Sequence, residues 1–338
     1  MAFSSIQNCT ISGVCSVVPT RIEDNLTISD ITDREKEALV KHTGIRYRRI
    51  ADRNDSIQAY FSQAIRSLCA KLNWEKDEIG VLICVTQTPQ VPIPSIACLL
   101  HEDLDLPKEV LCFDVNSGCS GFVYGLHLAS NLLNSLNDTS KKAILCCGDL
   151  SSQLIAPNDP STLPIFSDGA AAIGIERLEE WKNKITGHFN LETIGKGKDA
   201  IFSEKGQDNT PVMRLNGIDV FNYSVKFVPT NIVNLVESCG VSLDQLDAAV
   251  FHQANRLINE SIRKKIKFPS EKLPYSLHEY GNTASASIPI TWCSNFETIA
   301  KKSNWHLISG FGVGFSLASA VIPFDPKVCS PPELFLND

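Results

Sequence analysis

The chain has 338 residues, 43% of them hydrophobic and 20% charged, with a formal net charge of -7. It is long and apolar enough to bury one large core or two fused ones, which excludes a disordered chain, and its net charge offers no overall field to nucleic acid or an anionic membrane. The opening MAFSSIQNCTISGVCSVV has no basic n-region or continuous apolar stretch, and no later segment reaches the roughly 20 apolar residues of a bilayer span, so a cytoplasmic protein is expected.

Apolar strand-like runs alternate with amphipathic helical stretches, the pattern of an α/β architecture with buried strands. In chain order the spacing predicts a helix over Ser56 to Leu72, strands over Val81 to Val85 and Val110 to Val115, and a helix over Gly121 to Leu136. Strands follow at Ile144 to Cys147 and Ala170 to Ile175, then a helix over Val220 to Glu237 and a strand over Ala248 to His252. A helix over Ile288 to Lys301 and a strand over His306 to Ser309 complete the series.

The order of these features recurs. Leu72 to Val85 and Val241 to Phe251 both read as a helix end, an acidic turn and a strand; Ala143 to Ile175 and Trp305 to Val321 both hold two strands about a Gly-containing turn. Two similar halves follow, 1–180 and 181–338, divided through the polar Glu179 to Lys184 stretch. Gly195 to Thr210, rich in Gly, Lys and Asp, reads as a mobile surface loop.

Of the 12 cysteines, several sit inside apolar runs, among them Cys84, Cys146 and Cys147, where a reduced thiol packs as a small hydrophobe. There is no C-x-x-C pair and no Cys/His cluster at zinc spacing, so neither a metal nor a cofactor is expected. Cys119 is different. It lies in DVNSGCSGF, directly after a strand and before the helix that begins near Gly121. Such a turn can present its central side chain, and a helix N-terminus favours a thiolate. The turn alone leaves a nucleophile and a buried thiol both open.

Two more segments bear on that choice. FHQANRLI places His252 at the end of a buried strand, and YGNTASASIP places Asn282 in a small-residue turn into a helix. Either residue alone would usually be a satisfied structural polar group.

The set DVNSGCSGF, FHQANRLI, YGNTASASIP and GFGVGFSLASA, with HTGIRYRRIA before it and IFSDGAAA in the middle, resembles the 3-oxoacyl-(acyl-carrier-protein) synthase III family. The segments run from His42 to Ala320 in the family's order. The resemblance implies a thiolase-like five-layered αβαβα fold of two similar halves and a homodimer. It implies Cys119 as the acyl-accepting nucleophile, His252 and Asn282 as donors to the enolate of a decarboxylating malonyl-ACP, and backbone N–H groups of Cys119 and Val313 as the oxyanion hole. The first donor would be an acyl-CoA or acyl-ACP. Phe311, and Ile93 from near a partner subunit, would line the substrate tunnel. Arg256, Arg263, Lys264 and Lys265 form a basic cluster that would meet an acidic acyl carrier protein, or else be a solvated helix face.

The match has gaps. Where relatives that take acyl-CoA hold adenine between a tryptophan and an arginine, this chain has Ala38 and Pro160. Two other readings stand beside condensation: an acyltransferase of the same build that does not decarboxylate, and a non-catalytic partner subunit. The first leaves Asn282 without its main use, and the second would be expected to lose Cys119.

Overall fold

The computed structural model describes residues 2–29, 31–136, 142–156, 159–178, 184–206, 209–299 and 304–336. In chain order the strands and helices begin with β1 (Ala2–Gln7), β2 (Cys9–Val18), β3 (Ile22–Asp24), α1 (Asp33–Thr43), β4 (Tyr47–Arg49) and α2 (Ile57–Leu72). Next come β5 (Ile79–Val85), α3 (Ile96–Asp103), β6 (Leu111–Val115), α4 (Gly121–Ser135), β7 (Lys142–Asp149) and β8 (Gly169–Arg177). The second part holds β9 (Ile185–Thr193), β10 (Ile201–Lys205), β11 (Pro211–Leu215), α5 (Gly217–Cys239), β12 (Ala248–Phe251) and α6 (Arg256–Lys265). It closes with α7 (Leu277–Tyr280), α8 (Ser287–Asn295), β13 (Asn304–Gly312), β14 (Ser316–Phe324) and β15 (Glu333–Leu334).

Two large sheets carry the fold, one ordered β15-β2-β8-β7-β5-β6 and the other β1-β9-β14-β13-β12. Their inner strands repeat one plan. β7 runs parallel to β5 and antiparallel to β8, as β13 runs parallel to β12 and antiparallel to β14. The internal similarity read from the sequence is this repetition. The chain ends cross over, since β1 joins the sheet of the second part and β15 that of the first. The expected division at 180 falls among residues 179–183, outside the described residues.

Side-chain alternation along the strands sets the layers, because successive residues point to opposite faces. On β5, Leu82 and Cys84 face α2 and α3, whereas Val81, Ile83 and Val85 face α4. On β12, Ala248 and Val250 face the same central layer, and Ala249 and Phe251 face α5 and α6. Helices α4 and α8 therefore lie between the sheets, giving five layers, αβαβα. At the centre, Trp292 stacks on Phe324 with ring centroids 3.9 Å apart and meets Phe122 edge-on at 5.5 Å, geometries in which aromatic pairs add to simple burial. Cys84, Cys146 and Cys147 are buried free thiols in these strands.

Two expectations change, and two strands went unread. Gly195 to Thr210 is not a loop throughout: Ile201–Lys205 pairs antiparallel with Pro211–Leu215 as a hairpin, because Ile201 plugs into the core while its neighbours face solvent. Helix α8 stops at Asn295, short of Lys301; the Asn295 amide bonds the Thr291 and Tyr275 carbonyls, and Thr298 and Ile299 N–H groups turn back to its carbonyl. Residues 300–303 lie outside the described residues. Strands β1 and β2 were hidden, since MAFSSIQNCTISGVCSVV mixes Ser and Cys with its apolar residues.

Candidate active site

The nucleophile turn is built by β6 and α4. After Val115 the chain turns through Asn116 to Ser120, the Gly121 N–H bonds the Gly118 carbonyl at 2.7 Å, and α4 begins. Strand β13 crosses directly over this turn. A Cβ on Gly312 would lie 2.8 Å from Cys119 Cβ and 2.9 Å from Sγ, and one on Gly310 would lie 2.7 Å from Ser120 Cα, so only glycine permits the approach. The GFGVG segment is thus a lid of backbone over the cysteine.

Cys119 is only 4% exposed. Burial pushes its thiol up to about 12, the Asp149 carboxylate adds to the rise, and hydrogen bonds from the Val313 and Cys119 backbone N–H groups pull it back. The thiolate expected from a helix N-terminus is therefore not the resting form, because desolvation outweighs the donors. The same two N–H groups are those that the family resemblance implies as an oxyanion hole.

Asn282 comes from the other end of the chain but is fixed by the first part. Its N–H bonds the Ile165 carbonyl at 3.0 Å and its carbonyl accepts the Ser167 N–H at 2.9 Å, a one-residue bridge with Phe166. Gly281 before it has φ +59°, which favours glycine. The Asn282 Oδ1 accepts the Ala284 N–H at 3.0 Å, leaving the Nδ2 hydrogens for the cavity that the residue lines.

His252 follows β12, with its N–H on the Ser309 carbonyl at 2.8 Å. Burial holds its pKa at about 3, with a bond to the Ala284 backbone acting in the opposite direction, so the ring is neutral at ordinary pH. Its Nδ1 lies 2.8 Å from Ser287 Oγ, which accepts the Gln253 N–H at 3.2 Å. The Ser287 hydrogen is available to Nδ1, an arrangement that keeps the ring proton on Nε2. Phe311 meets His252 edge-on, with centroids 5.6 Å apart.

Cys119, His252, Asn282 and Phe311 line one cavity of about 80 Å³. The other predicted residues are not gathered there. Ile93 is 82% exposed, just before Pro94 and away from the cavity lining. Arg256 opens α6, with its Cβ close against Gly44, but Arg263, Lys264 and Lys265 stand about 10 to 14 Å further along the helix by its 1.5 Å rise. Arg263 is also committed, 2.8 Å from Glu260 and bonded to the Phe268 carbonyl; Lys265 holds the Val225 carbonyl. Ser287 and Asp149 went unread in the sequence. Ser287 lay in plain view in the GNTASAS turn; Asp149, at the end of a strand, gave no signal.

A second cavity of about 900 Å³ lies beside β3 and α1, where Leu39 and Pro160 share its wall with Glu23, Asp24, Glu35 and Asp159. Arg48, its one lining cation among the described residues, pairs with Glu23 at 2.9 Å. Among the described residues no helix is long and apolar enough to cross a membrane.

The family model for 3-oxoacyl-[acyl-carrier-protein] synthase III matches residues 113–195, and that for its C-terminal part matches residues 236–324. A beta-ketoacyl-[acyl-carrier-protein] synthase III of Clostridium novyi is 30% identical over 333 residues, covering 94% of this chain and 99% of that protein. The crystal structure of 3-oxoacyl-(acyl-carrier protein) synthase from Burkholderia xenovorans superposes with a TM-score of 0.91 at 30% identity, covering 98% of this chain and 99% of that one. The priming beta-ketosynthase of the R1128 polyketide pathway shares the fold at a TM-score of 0.85 and 24% identity, over 96% and 99% of the two chains. With a buried cysteine, a neutral histidine and an asparagine amide around one cavity in a five-layered fold, this chain belongs to the 3-oxoacyl-(acyl-carrier-protein) synthase III family, the condensing acyltransferases of thiolase fold.

Proposed function

We propose that the protein joins an acyl thioester to a malonyl thioester on acyl carrier protein, with loss of carbon dioxide, through an acyl group held on Cys119. The observation that carries this reading is the meeting of Cys119, His252 and Asn282 on one cavity, with the Val313 and Cys119 N–H groups at the sulfur. The Cys119 sulfur attacks the donor carbonyl, the bond to the carrier sulfur breaks, and the carrier thiol leaves with the proton. The buried thiol is a weak acid, so proton and acyl group exchange places between two sulfurs and no net charge is stranded.

The malonyl thioester then loses its carboxylate as carbon dioxide, and the electron pair of the broken C–C bond passes to the thioester oxygen. His252 Nε2–H and Asn282 Nδ2–H are neutral donors placed for that oxygen. The enolate carbon attacks the Cys119 acyl carbonyl, whose oxygen is met by the two backbone N–H groups; the C–S bond then breaks, its electron pair leaves on the Cys119 thiolate, and one proton taken up from solvent restores the thiol. Transfer without decarboxylation would give the Asn282 donors nothing to stabilise.

The large cavity bears on the first donor. Among the described residues the wall around Leu39 and Pro160 has one cation, Arg48, already paired with Glu23, and so offers no free cation for a nucleotide phosphate, which favours a first donor borne by a carrier protein. We also assign a homodimer. Strand β6 is the edge of its sheet, half-buried and paired only with β5 among the described residues, and an open edge of this kind is covered in stable folds. The same dimer would cover Ile93. Arg256 and Lys264, both exposed on α6, remain the cations for an acidic carrier.

The test is product analysis with malonyl-ACP labelled in its free carboxylate and a panel of acyl-CoA and acyl-ACP donors. The reading expects labelled carbon dioxide in step with a 3-oxoacyl product. An ester or amide formed without carbon dioxide would replace it with simple acyl transfer.

A further inference from the structure

Asp149 ends β7, 2% exposed, and takes no part in the steps above. One carboxylate oxygen accepts the Gln87 N–H at 2.6 Å and the Thr86 hydroxyl at 3.1 Å; the other accepts the Ser285 hydroxyl at 3.1 Å. A hydrogen bond with the Ser285 backbone adds to these. Every partner is a donor. A carboxylate accepts on both oxygens, whereas an amide in its place would aim a hydrogen at one set of them.

Each partner lies one link from the chemistry. Gln87 gives its amide hydrogen to Asn116 at 3.1 Å, and its Oε1 presses on Gly118, where an added Cβ would come within 2.4 Å. The Gln87 loop thus backs the turn that carries Cys119. Ser285 follows Ala284, whose N–H fixes the Asn282 amide. Thr86 is itself braced by Thr88, whose hydroxyl accepts the Leu150 N–H at 2.9 Å.

We infer that ionised Asp149 is a positioning residue for condensation, clamping the turn that carries Asn282 against the turn that carries Cys119. This rests on the reaction assigned above. Burial raises the Asp149 carboxyl to about 6, with the bonds from Gln87, Ser285 and Thr86 opposing that rise. The titratable groups facing it are two thiols, Cys119 before α4 and Cys147 on its own strand, and its charge adds to burial in pushing both up. The clamp is therefore complete above about pH 6 and weakened below. Stability moves the other way. A carboxyl with a folded pKa above its ordinary value of 3.8 stabilises the fold most at low pH and loses that contribution as pH rises through about 6. A carboxylate that merely held the fold together would not gain activity where it gives up stability.

The full chain with Asp149→Asn or Ser285→Ala tests this by kcat and KM for condensation against pH, and by the pH dependence of iodoacetamide labelling at Cys119. Asp149→Asn is expected to lower kcat at least about tenfold, the scale of one hydrogen bond to a charged group, with KM little changed. The acid limb near pH 6 should vanish, and the labelling curve should shift to lower pH as the nearby charge is removed. Ser285→Ala keeps the charge, so it should lower kcat by a few-fold and retain both the limb and the labelling curve. Wild-type kcat with an intact acid limb in Asp149→Asn overturns the inference. If Asp149→Asn does not fold, an unchanged kcat in Ser285→Ala overturns it instead. Labelling needs no acyl substrate, so it separates this inference from the reaction: an unshifted curve counts against Asp149 even where another reaction is found.

Discussion

The cavity of about 900 Å³ beside α1 and the cavity of about 80 Å³ over Cys119 differ in kind as well as size. The large one has four carboxylates among its apolar lining residues, each already engaged: Glu23 by Arg48, Asp24 by Arg46, Glu35 by the Thr32 cap, Asp159 by Thr162. The small one holds neutral groups, a thiol and an imidazole that burial strips of charge. Volume marks where a ligand fits, whereas chemistry at a developing charge needs dry donors that do not reorganise. In this fold the smaller void has them.

Removing the nucleophile should break that contrast most completely. Cys119→Ala is expected to abolish the acyl adduct and cut condensation by about 10,000-fold or more, read by product formation, with thermal unfolding near that of the parent. Asn282→Ala comes next. Loss of one donor of about 2.7 to 4 kcal/mol should slow condensation roughly 100- to 1000-fold while the acyl adduct still forms. A smaller effect concerns pH. The His252 ring has a folded pKa of about 3, below its ordinary 6.5, so it stays neutral and gives no limb in kcat between about pH 5 and pH 8. In an Asp149→Asn background the profile across that range should be flat. By linkage the same histidine withdraws stability as pH falls from about 6.5 towards 3, which acid unfolding would detect. The least effect is expected at the large cavity, where Pro160 lines the wall and Ala38 is exposed on α1 next to the lining Leu39. Ala38→Trp with Pro160→Arg should improve acyl-CoA use roughly fivefold, about 1 kcal/mol of stacking, leaving carrier-borne donors unaffected.

Much of the fold was legible because β5, β7, β8 and β12 are continuous apolar runs, as strands covered on both faces must be. Strands β1 and β2 were not, since β1 is a largely exposed edge strand with only Ile6 buried, and Thr, Ser, Gly and Cys interrupt the apolar run of β2. The site was legible as a set. Cys119, His252 and Asn282 each sit where an element ends, and all three fall within the residues that the two family models match. What escaped reading was the support around them: Ser287 behind His252, the glycine backbone over Cys119, and Asp149 between two turns from opposite ends of the chain. Those roles depend on distances of 2.6 to 3.2 Å set by packing, which no spacing in one segment records. The side-chain commitments within the basic run on α6 escaped reading for a similar reason. Its charges are adjacent in sequence, yet Arg263 turns inward to Glu260.

The most direct measurement is the intact mass of Asn282→Ala and Cys119→Ala after incubation with an acyl thioester and no malonyl substrate. The account predicts one acyl group on Asn282→Ala, mapped to Cys119, and none on Cys119→Ala. An unlabelled Asn282→Ala protein, or an acyl group that persists without Cys119, would contradict it.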